Sequence, residues 1–413
     1  MPKGSFSSIS EYAVRHPSSI REIMTLVTDY RVHPEKYPRP LLYLGGGWPQ
    51  DPPPPILREK LLEIASSVET FNQSSRYGAT GGEPELIDLL IEYENKVFGR
   101  SKPGSEEIII GSGSTDQTAA VFLSILDPGS EVIFTRPYYL NYTRQLEIEF
   151  QRTIRVKTWD IIKDHRYDPT LDDLQELITD KTSLIVITSP GNPDSKIIPE
   201  EVYKGVLDIA EDKGIWVILD LAYRAFTFKE PPRYFSQPRR ENEIIIATLS
   251  KELRIPGWRI SYVIADPELV KRINTIEQAR ILCPSRLVQE VLIRLFSDSR
   301  SFAILKEFNR KSSEKYSKVA YSTYEKITSE IEGINALKPD GGFYVFFDIT
   351  AYTNNSKEFC NRLLKEWQVA LVPGVDFGKE GWVRLSFAPV VETPEVVDEA
   401  LERMKQFLGS LRH

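Results

Sequence analysis

Residues 183–193 read SLIVITSPGNP, an unbroken run of strand-forming residues followed directly by a turn rich in proline and glycine. An uninterrupted apolar run is typical of a strand that is buried on both faces of a parallel sheet. Further runs of strand type occur at 107–111, 131–135, 154–158, 215–220, 244–248 and 259–265, and helical spacing occurs at 115–126, 171–178 and 199–213. This alternation predicts an α/β fold in which a mostly parallel seven-stranded sheet lies between layers of helices.

The sequence pattern changes after about residue 300. Two helices and two short strands are predicted there, at 302–331, 393–411, 343–348 and 383–387. The N-terminal segment up to Pro55 is rich in proline and glycine and does not resemble a separate domain. We therefore predict a large domain over residues 56–300 and a small α+β domain built from residues 1–55 together with 301–413.

Composition excludes several classes of protein. The chain has 413 residues and a net charge of −7, whereas a nucleic-acid-binding protein would show a basic stripe. No stretch approaches the roughly 20 apolar residues of a membrane span, and the N-terminus lacks the apolar core of a signal peptide. Two cysteines, Cys283 and Cys360, and four histidines make a disulfide scaffold or a metal centre unexpected. These features predict a cytoplasmic enzyme.

Polar residues follow four of the predicted strands. They include Ser114 with Thr115 at a helix start, Asn192 in the SPGNP turn, Asp220, and Lys251. Each has an ordinary structural explanation: a helix cap, a plain turn, a surface carboxylate or a solvated lysine. However, all four groups fall at the carboxyl edge of one sheet, where such folds bind ligands. Together they suggest an anion site at a helix N-terminus beside a nucleophilic lysine.

The motifs at these positions resemble those of the class I/II aminotransferases of fold type I, which depend on pyridoxal phosphate (PLP). The matching motifs are GST at 113–115, PYY at 137–139, PGNP at 190–193, DLAY at 220–223, TLSK at 248–251, GWR at 257–259, PDGGFY at 339–344, PGVDFG at 373–378 and VRLSF at 383–387. They occur in the family's order from about residue 44 to residue 388. The resemblance therefore covers nearly the whole chain.

The resemblance implies a role for each matching residue. Lys251 would form the Schiff base with the cofactor, and Asp220 would keep the pyridine nitrogen protonated. Tyr223 and Asn192 would hydrogen-bond the ring hydroxyl, and Tyr139 would stack on the ring. The residues implied in phosphate binding are Ser114, Thr115, Thr248, Ser250 and Arg259, with Tyr77 reaching across a homodimer to the neighbour's phosphate in shared active sites. Those implied in binding the substrate carboxylate are Arg384, Gly47 and Asn192.

The expected reaction moves an amino group from an α-amino acid to a 2-oxo acid such as 2-oxoglutarate. A PLP-dependent lyase, an aminocyclopropane-carboxylate-synthase-like enzyme and a non-catalytic PLP-binding regulator are the alternatives. The regulator is disfavoured because no basic domain precedes the motifs. The broad apolar face of Trp48 favours aromatic or bulky apolar donors, whereas Arg280 or Arg286 could pair with a side-chain carboxylate.

Three positions depart from the family pattern. Asp194 and Ser195 stand where the family usually has threonine and glycine, and Ser261 stands where it has glycine. None of these departures falls on Lys251, Asp220, Tyr223 or Arg384. They leave open which subgroup the chain belongs to, and whether that subgroup transaminates.

Overall fold

The computed structural model describes residues 4–17 and 19–411. Its strands are β1 Leu42–Tyr43, β2 Ile108–Gly111, β3 Glu131–Arg136, β4 Arg155–Asp160, β5 Ile162–Lys163, β6 Arg166–Tyr167, β7 Thr182–Thr188, β8 Trp216–Asp220, β9 Glu243–Thr248, β10 Ser261–Ile264, β11 Asn335–Ala336, β12 Tyr344–Asp348, β13 Val369–Ala370, β14 Val372–Pro373 and β15 Trp382–Ser386. Its α-helices are α1 Ser8–Arg15, α2 Ser19–Val32, α3 Pro55–Ser66, α4 Val68–Ser74, α5 Pro84–Phe98, α6 Ser114–Ile125, α7 Leu140–Glu149, α8 Leu171–Leu177, α9 Glu200–Lys213, α10 Leu249–Glu252, α11 Pro267–Arg280, α12 Arg286–Ser297, α13 Ser301–Glu330, α14 Ser356–Trp367 and α15 Glu395–Leu411.

The large sheet contains, in the described part of the chain, seven strands in the order β2, β10, β9, β8, β7, β3, β4. Neighbouring strands are parallel except at β10, which is antiparallel to both β2 and β9. Each strand overlaps one of the seven runs identified in the sequence. The predicted mostly parallel seven-stranded sheet is therefore confirmed.

Helices cover both faces of this sheet, which explains why its strands are apolar throughout. On β8, Val217 and Leu219 belong to the core cluster that includes α5, α9 and α12. Ile218, between them, belongs to the opposite cluster, which includes α6, α7 and α11. Alternate side chains of one strand thus enter two separate layers, and both layers exclude water.

A second sheet follows in the C-terminal part, with the strand order β11, β12, β15, β14 among the described residues and antiparallel pairing throughout. The two predicted strands of this region correspond to β12 and β15. Side chains of α13, α14 and α15 complete its core. The predicted bounds of α13 and α15 are within two residues of the observed ones.

The N-terminal segment forms two helices, α1 and α2, which the sequence analysis did not predict. Ile23 and Val27 of α2 are one helical turn apart and pack against Leu364 and Ala370. In addition, β1 pairs in parallel with β13. The N-terminal segment thus shares a core with residues beyond 300, although the division at residues 55 and 300 stays a prediction.

Two further observations concern the described residues as a whole. None of their helices is both long and apolar enough to cross a membrane. Among them, no group of three or more His, Cys, Asp or Glu side chains is placed to hold a metal ion.

Candidate active site

All but one of the predicted site residues line a single cavity of about 400 Å³ in the described structure. The cavity lies where β7, β8 and β9 end, at the carboxyl edge of the sheet, where a ligand site was expected. The predicted residues that line it are Gly47, Ser114, Thr115, Tyr139, Asn192, Asp220, Tyr223, Thr248, Ser250, Lys251, Arg259 and Arg384. The exception is Tyr77.

Lys251 lies on α10, the short helix that directly follows β9. Its Nζ donates a hydrogen bond to the carbonyl oxygen of Gly47, 2.9 Å away. Burial, with the nearby charges of Arg259 and Arg384, lowers the pKa of Lys251 to about 8, although Asp220 acts in the opposite direction. A larger fraction of the amine is therefore neutral near pH 7 than in an exposed lysine, which favours nucleophilic attack.

Asp220 is buried at the end of β8. Its Oδ2 accepts a hydrogen bond from Tyr142 Oη at 2.5 Å, and its Oδ1 accepts one from the Ala222 backbone N–H at 2.9 Å. Burial raises the pKa of this carboxyl, while the two hydrogen bonds and the charge of Lys251 counteract the rise. No described residue forms a salt bridge with Asp220, so the site suits a ligand that brings a cationic N–H group.

A hydrogen-bonded chain connects Arg384, Asn192 and Tyr223, which are all buried. Arg384 donates from Nη1 to Asn192 Oδ1 and from Nη2 to the carbonyl oxygen of Gly45, both at 2.8 Å. Asn192 Nδ2 in turn donates to Tyr223 Oη at 3.0 Å. The Nε of Arg384 is buried and has no partner among the described residues. The guanidinium therefore keeps N–H donors with which it can hold a carboxylate.

The end of the cavity near α6 has the groups that bind an anion in proteins. Ser114 and Thr115 form the first turn of α6, where backbone N–H groups and the helix dipole point outward. Gly113 precedes them at a φ of 96°, and a Cβ there would lie only 2.3 Å from Arg259 Nη2. Arg259 forms no salt bridge with a described residue. An uncompensated guanidinium beside a helix N-terminus suits a phosphate group.

A family model described as "Aminotransferase class I and II" matches residues 39–404. The chain belongs to this family. It is 28% identical over 372 residues to an aspartate aminotransferase of Pyrococcus horikoshii, an alignment that covers 88% of this chain and 92% of that protein. It is 29% identical over 377 residues to a probable aspartate/prephenate aminotransferase of Aquifex aeolicus, covering 89% and 91% of the two chains. Among solved structures, an aromatic aminotransferase from Pyrococcus horikoshii superposes with a TM-score of 0.80 at 25% identity, covering 90% of this chain and 96% of that one.

Aminotransferases of this class and fold use pyridoxal 5′-phosphate, and this chain is a PLP-dependent aminotransferase. The geometry of the cavity fits that cofactor independently of the family. A cradle for an anion at Arg259, a buried carboxylate without a salt bridge at Asp220 and a buried amine of lowered pKa at Lys251 line one space. The three features are chemically suited to a phosphate, a protonated ring nitrogen and an aldehyde, in that order.

The other end of the cavity in this aminotransferase is mostly apolar. Ile20 and Met24 of α2 line it, together with Tyr43 of β1 and Trp48 from the segment that follows β1. Tyr43 Oη donates to Met24 Sδ at 3.2 Å, and the rings of Tyr43 and Trp48 lie 6.3 Å apart. Trp48 was expected at this position, whereas the contribution of α2 was not.

Tyr77 and the two arginines considered as partners for a side-chain carboxylate lie outside the cavity within one chain. Tyr77 is 83% exposed on the surface. Arg280 pairs with Asp116 at 3.1 Å and Glu149 at 3.6 Å, and Arg286 pairs with two glutamates of its own chain. Both arginines are thus neutralised by neighbouring carboxylates, and neither lines the cavity.

The departures from the family pattern lie behind the cavity wall. Asp194 and Ser195 are buried in the turn after β7, where Ser195 has a φ of 56° and its Oγ accepts a hydrogen bond from the backbone N–H of Tyr344 at 3.2 Å. Burial raises the pKa of Asp194 to about 7. Ser261 begins β10 and donates to Gln117 on α6. These residues shape the scaffold and do not contact the cavity.

Two tyrosines of the site were not predicted. Tyr142, which holds Asp220, lies in the first turn of α7, and its ring meets edge to face, at 5.3 Å, that of Tyr139, the residue directly before the helix. Tyr344 is part of a quoted motif, and its Oη lies 3.1 Å from Tyr223 Oη. The nearness of Tyr142 to Tyr139 in the chain could have identified it. Nothing local to the sequence indicates that Tyr344 points toward Tyr223, because that depends on how two sheets pack.

Proposed function

We propose that this aminotransferase attaches its cofactor to Lys251 and transfers amino groups from aromatic or bulky apolar amino acids to 2-oxoglutarate. The observation that carries the proposal is the position of Lys251. Its buried amine of lowered pKa lines the same cavity as the guanidinium groups of Arg259 and Arg384. When bound, PLP supplies an aldehyde for covalent bonding and a ring that accepts electrons as the substrate loses its α-proton.

Lys251 has two tasks in this proposal. Its Nζ would hold the cofactor through its aldehyde and, when free, would move a proton at the substrate α-carbon. Both tasks need a neutral amine, which the lowered pKa of about 8 favours. The hydrogen bond to the carbonyl oxygen of Gly47 keeps the amine at the substrate side of the cavity.

The surrounding residues orient the cofactor ring. Asp220 would accept a hydrogen bond from the ring nitrogen, and Tyr142 holds its carboxylate in place. Tyr223 and Asn192 would donate to the ring oxygen, and Tyr139 would pack against the ring face. The residues proposed to bind the phosphate are Ser114, Thr115, Thr248, Ser250 and Arg259.

Arg384 binds the α-carboxylate of the substrate. Two of its N–H donors are already committed to Asn192 and to the backbone of Gly45, and these bonds fix the plane of the guanidinium. The partnerless Nε and the remaining N–H groups are available for a carboxylate. Gly47 lets the substrate approach closely, because it has no side chain.

The donor preference follows from the apolar end of the cavity. Ile20, Met24, Tyr43 and Trp48 provide apolar and aromatic surface there, and burial of a phenyl or isobutyl group is worth about 1.5–3 kcal/mol. Arg280 and Arg286 are engaged elsewhere. The solved relative named an aromatic aminotransferase supports this preference, whereas the relatives named aspartate aminotransferases make aspartate the competing donor.

The test is a donor series at a fixed concentration of 2-oxoglutarate. We expect kcat/KM to be higher for phenylalanine, tyrosine and leucine than for aspartate, and 2-aminoadipate serves in the series as a second, longer acidic donor. A preference for aspartate of a hundredfold or more over every apolar donor would refute the proposed preference. Release of ammonia without transfer of the amino group would refute the transamination itself.

We further propose a homodimer with shared active sites. Exposed apolar side chains occur on α3, on α4 and beside the start of α12, and these helices contact one another. They are Leu62, Val68, Phe71, Leu282 and Leu287. Exposed apolar side chains gathered on helices that contact one another are typical of an interface between copies of one chain. Tyr77 follows α4 and is exposed enough to reach a second copy.

Mixing two inactive or weakened variants tests the shared site. In a mixed dimer of Lys251→Ala and Tyr77→Phe chains, one site carries both changes and the other carries neither, so activity should recover. No recovery despite confirmed mixed dimers would show that Tyr77 acts within its own chain. Val68→Glu should shift the protein to monomers in size-exclusion chromatography, whereas Ile148→Glu, at an exposed position of α7, should not.

A further inference from the structure

The direction of the hydrogen bonds around Tyr223 can be worked out from the groups that surround it. A guanidinium only donates, so Asn192 must present its Oδ1 to Arg384. Its Nδ2 therefore faces Tyr223 and donates to Tyr223 Oη at 3.0 Å. One of the two acceptor lone pairs of the Tyr223 hydroxyl is thus occupied. The partner of the second lone pair and the direction of the hydroxyl proton remain to be assigned.

Tyr344 is the other neighbour of this hydroxyl, with the two Oη atoms 3.1 Å apart. Tyr344 is fully buried on β12, and its backbone N–H donates to Ser195 Oγ. Its ring lies under the Arg384 guanidinium, 4.5 Å from ring centre to Cζ. A Cβ on Gly47 would come within 3.3 Å of Tyr344 Oη, so the backbone of Gly47 covers the hydroxyl. The Tyr344 hydroxyl is thus held against Tyr223 and away from solvent.

We propose that Tyr344 is a positioning residue whose hydroxyl donates to Tyr223 Oη and thereby directs the Tyr223 proton into the cavity, toward the ring oxygen of the cofactor. The inference rests on the proposed function, because it needs a ring oxygen that accepts from Tyr223. With both acceptor positions of Tyr223 filled, by Asn192 and by Tyr344, its O–H can only donate outward. An anionic oxygen is also a stronger acceptor than a neutral tyrosine hydroxyl, which favours the same direction.

Burial keeps both hydroxyls protonated. It raises the pKa of Tyr223 well above its usual value and that of Tyr344 to about 12. Successive donors polarise one another, so the Tyr344 hydroxyl strengthens the hydrogen bond that Tyr223 makes to the ring oxygen. Loss of this support would leave the ring oxygen more basic. The proton shared between that oxygen and the lysine-derived nitrogen would then be lost only at higher pH.

The visible absorption of the holoenzyme without substrate reports this proton, so the experiment is a spectral pH titration. Tyr344→Phe keeps the ring under Arg384 and removes only the hydroxyl. We expect the midpoint to rise by about 0.3–1 pH unit, and by more in Tyr223→Phe. The double variant should match Tyr223→Phe alone, because Tyr344 acts through Tyr223. Tyr203→Phe removes another buried hydroxyl, one bonded to Glu243 at the opposite end of β9, and should leave the midpoint unchanged.

The variants separate the inference from the function on which it rests. A wild-type midpoint in Tyr344→Phe beside a raised midpoint in Tyr223→Phe would overturn the role of Tyr344 and leave the proposed function intact. Shifts that add in the double variant would overturn action through Tyr223. An unshifted Tyr223→Phe would contradict the proposed role of Tyr223 and the inference together.

Discussion

The two ends of the cavity are built in different ways. At the cofactor end, Asp220 ends a strand of the large sheet, and Thr115, Asn192 and Lys251 each follow another strand of it, all at the edge where those strands end. At the substrate end, the wall comes from α2, from the segment after β1 and from β15, which are far apart in the chain. The cofactor end therefore follows from topology, whereas the substrate end depends on how distant segments pack.

The cofactor end therefore serves the chemistry common to every substrate, whereas the substrate end determines which substrate is accepted. A change at the cofactor end should abolish or strongly reduce the reaction with every substrate. Ile20 and Met24 of α2 line the cavity but form no hydrogen bond to the proposed cofactor-binding residues. A change in α2 should therefore alter the choice among substrates. The predictions below test that contrast, from the largest expected effect to the smallest.

Lys251→Ala should lower kcat by about 10⁴-fold or more for every donor, because the covalent and proton-transfer roles are lost together. The variant should still bind PLP through the cradle at Arg259. Turnover with each donor and cofactor binding by equilibrium dialysis check this. A loss in kcat smaller than tenfold would contradict the proposed role of Lys251. It would also contradict the claim that changes at the cofactor end affect every substrate.

Arg384→Gln should lower kcat/KM by about 10²–10³-fold for aromatic and acidic donors alike. The α-carboxylate is common to all of them, and a bidentate charged pair is replaced by a neutral amide. Steady-state kinetics with phenylalanine and aspartate measure the effect. The control is Arg272→Gln, an exposed arginine on α11, which should stay within twofold of wild type. A loss confined to one donor would place Arg384 at the side chain of the substrate.

Cofactor uptake by the apoenzyme should accelerate with pH. Only the neutral amine of Lys251 attacks an aldehyde, and its pKa of about 8 means that the neutral fraction increases roughly tenfold per pH unit below 8 and levels off above it. From pH 6 to pH 8 the rate should rise about fiftyfold. Stopped-flow absorbance of apoenzyme mixed with PLP measures it. A profile that continues to rise to pH 10 would mean that burial does not lower the pKa of Lys251.

Met24→Arg should raise kcat/KM for aspartate relative to phenylalanine by about tenfold, because it places a cation in the apolar wall near the substrate side chain. Met24→Leu preserves the apolar character and should leave the ratio within twofold. An unchanged ratio in the arginine variant would show that α2 does not determine the donor preference. The substrate side chain would then bind against another part of the cavity wall.

The cofactor end could be predicted from the sequence and the substrate end could not. The seven strands were predictable because each is a continuous apolar run, and the site residues were predictable because they come at or directly after the ends of those runs. The wall formed by α2 was not, because its helix depends on the burial of Ile23 and Val27 against Leu364 and Ala370. Tyr344 shows the same limit, since its contact with Tyr223 joins the second sheet to the segment after β8.

The attachment of the cofactor to Lys251 is the central claim, and borohydride reduction tests it most directly. Reduction of the holoenzyme fixes the cofactor covalently on the amine that holds it, and mass spectrometry of a proteolytic digest locates the modified residue. The account predicts a single modified peptide carrying the cofactor on Lys251. Modification of another lysine, or no covalent attachment in a protein that binds PLP, would contradict it.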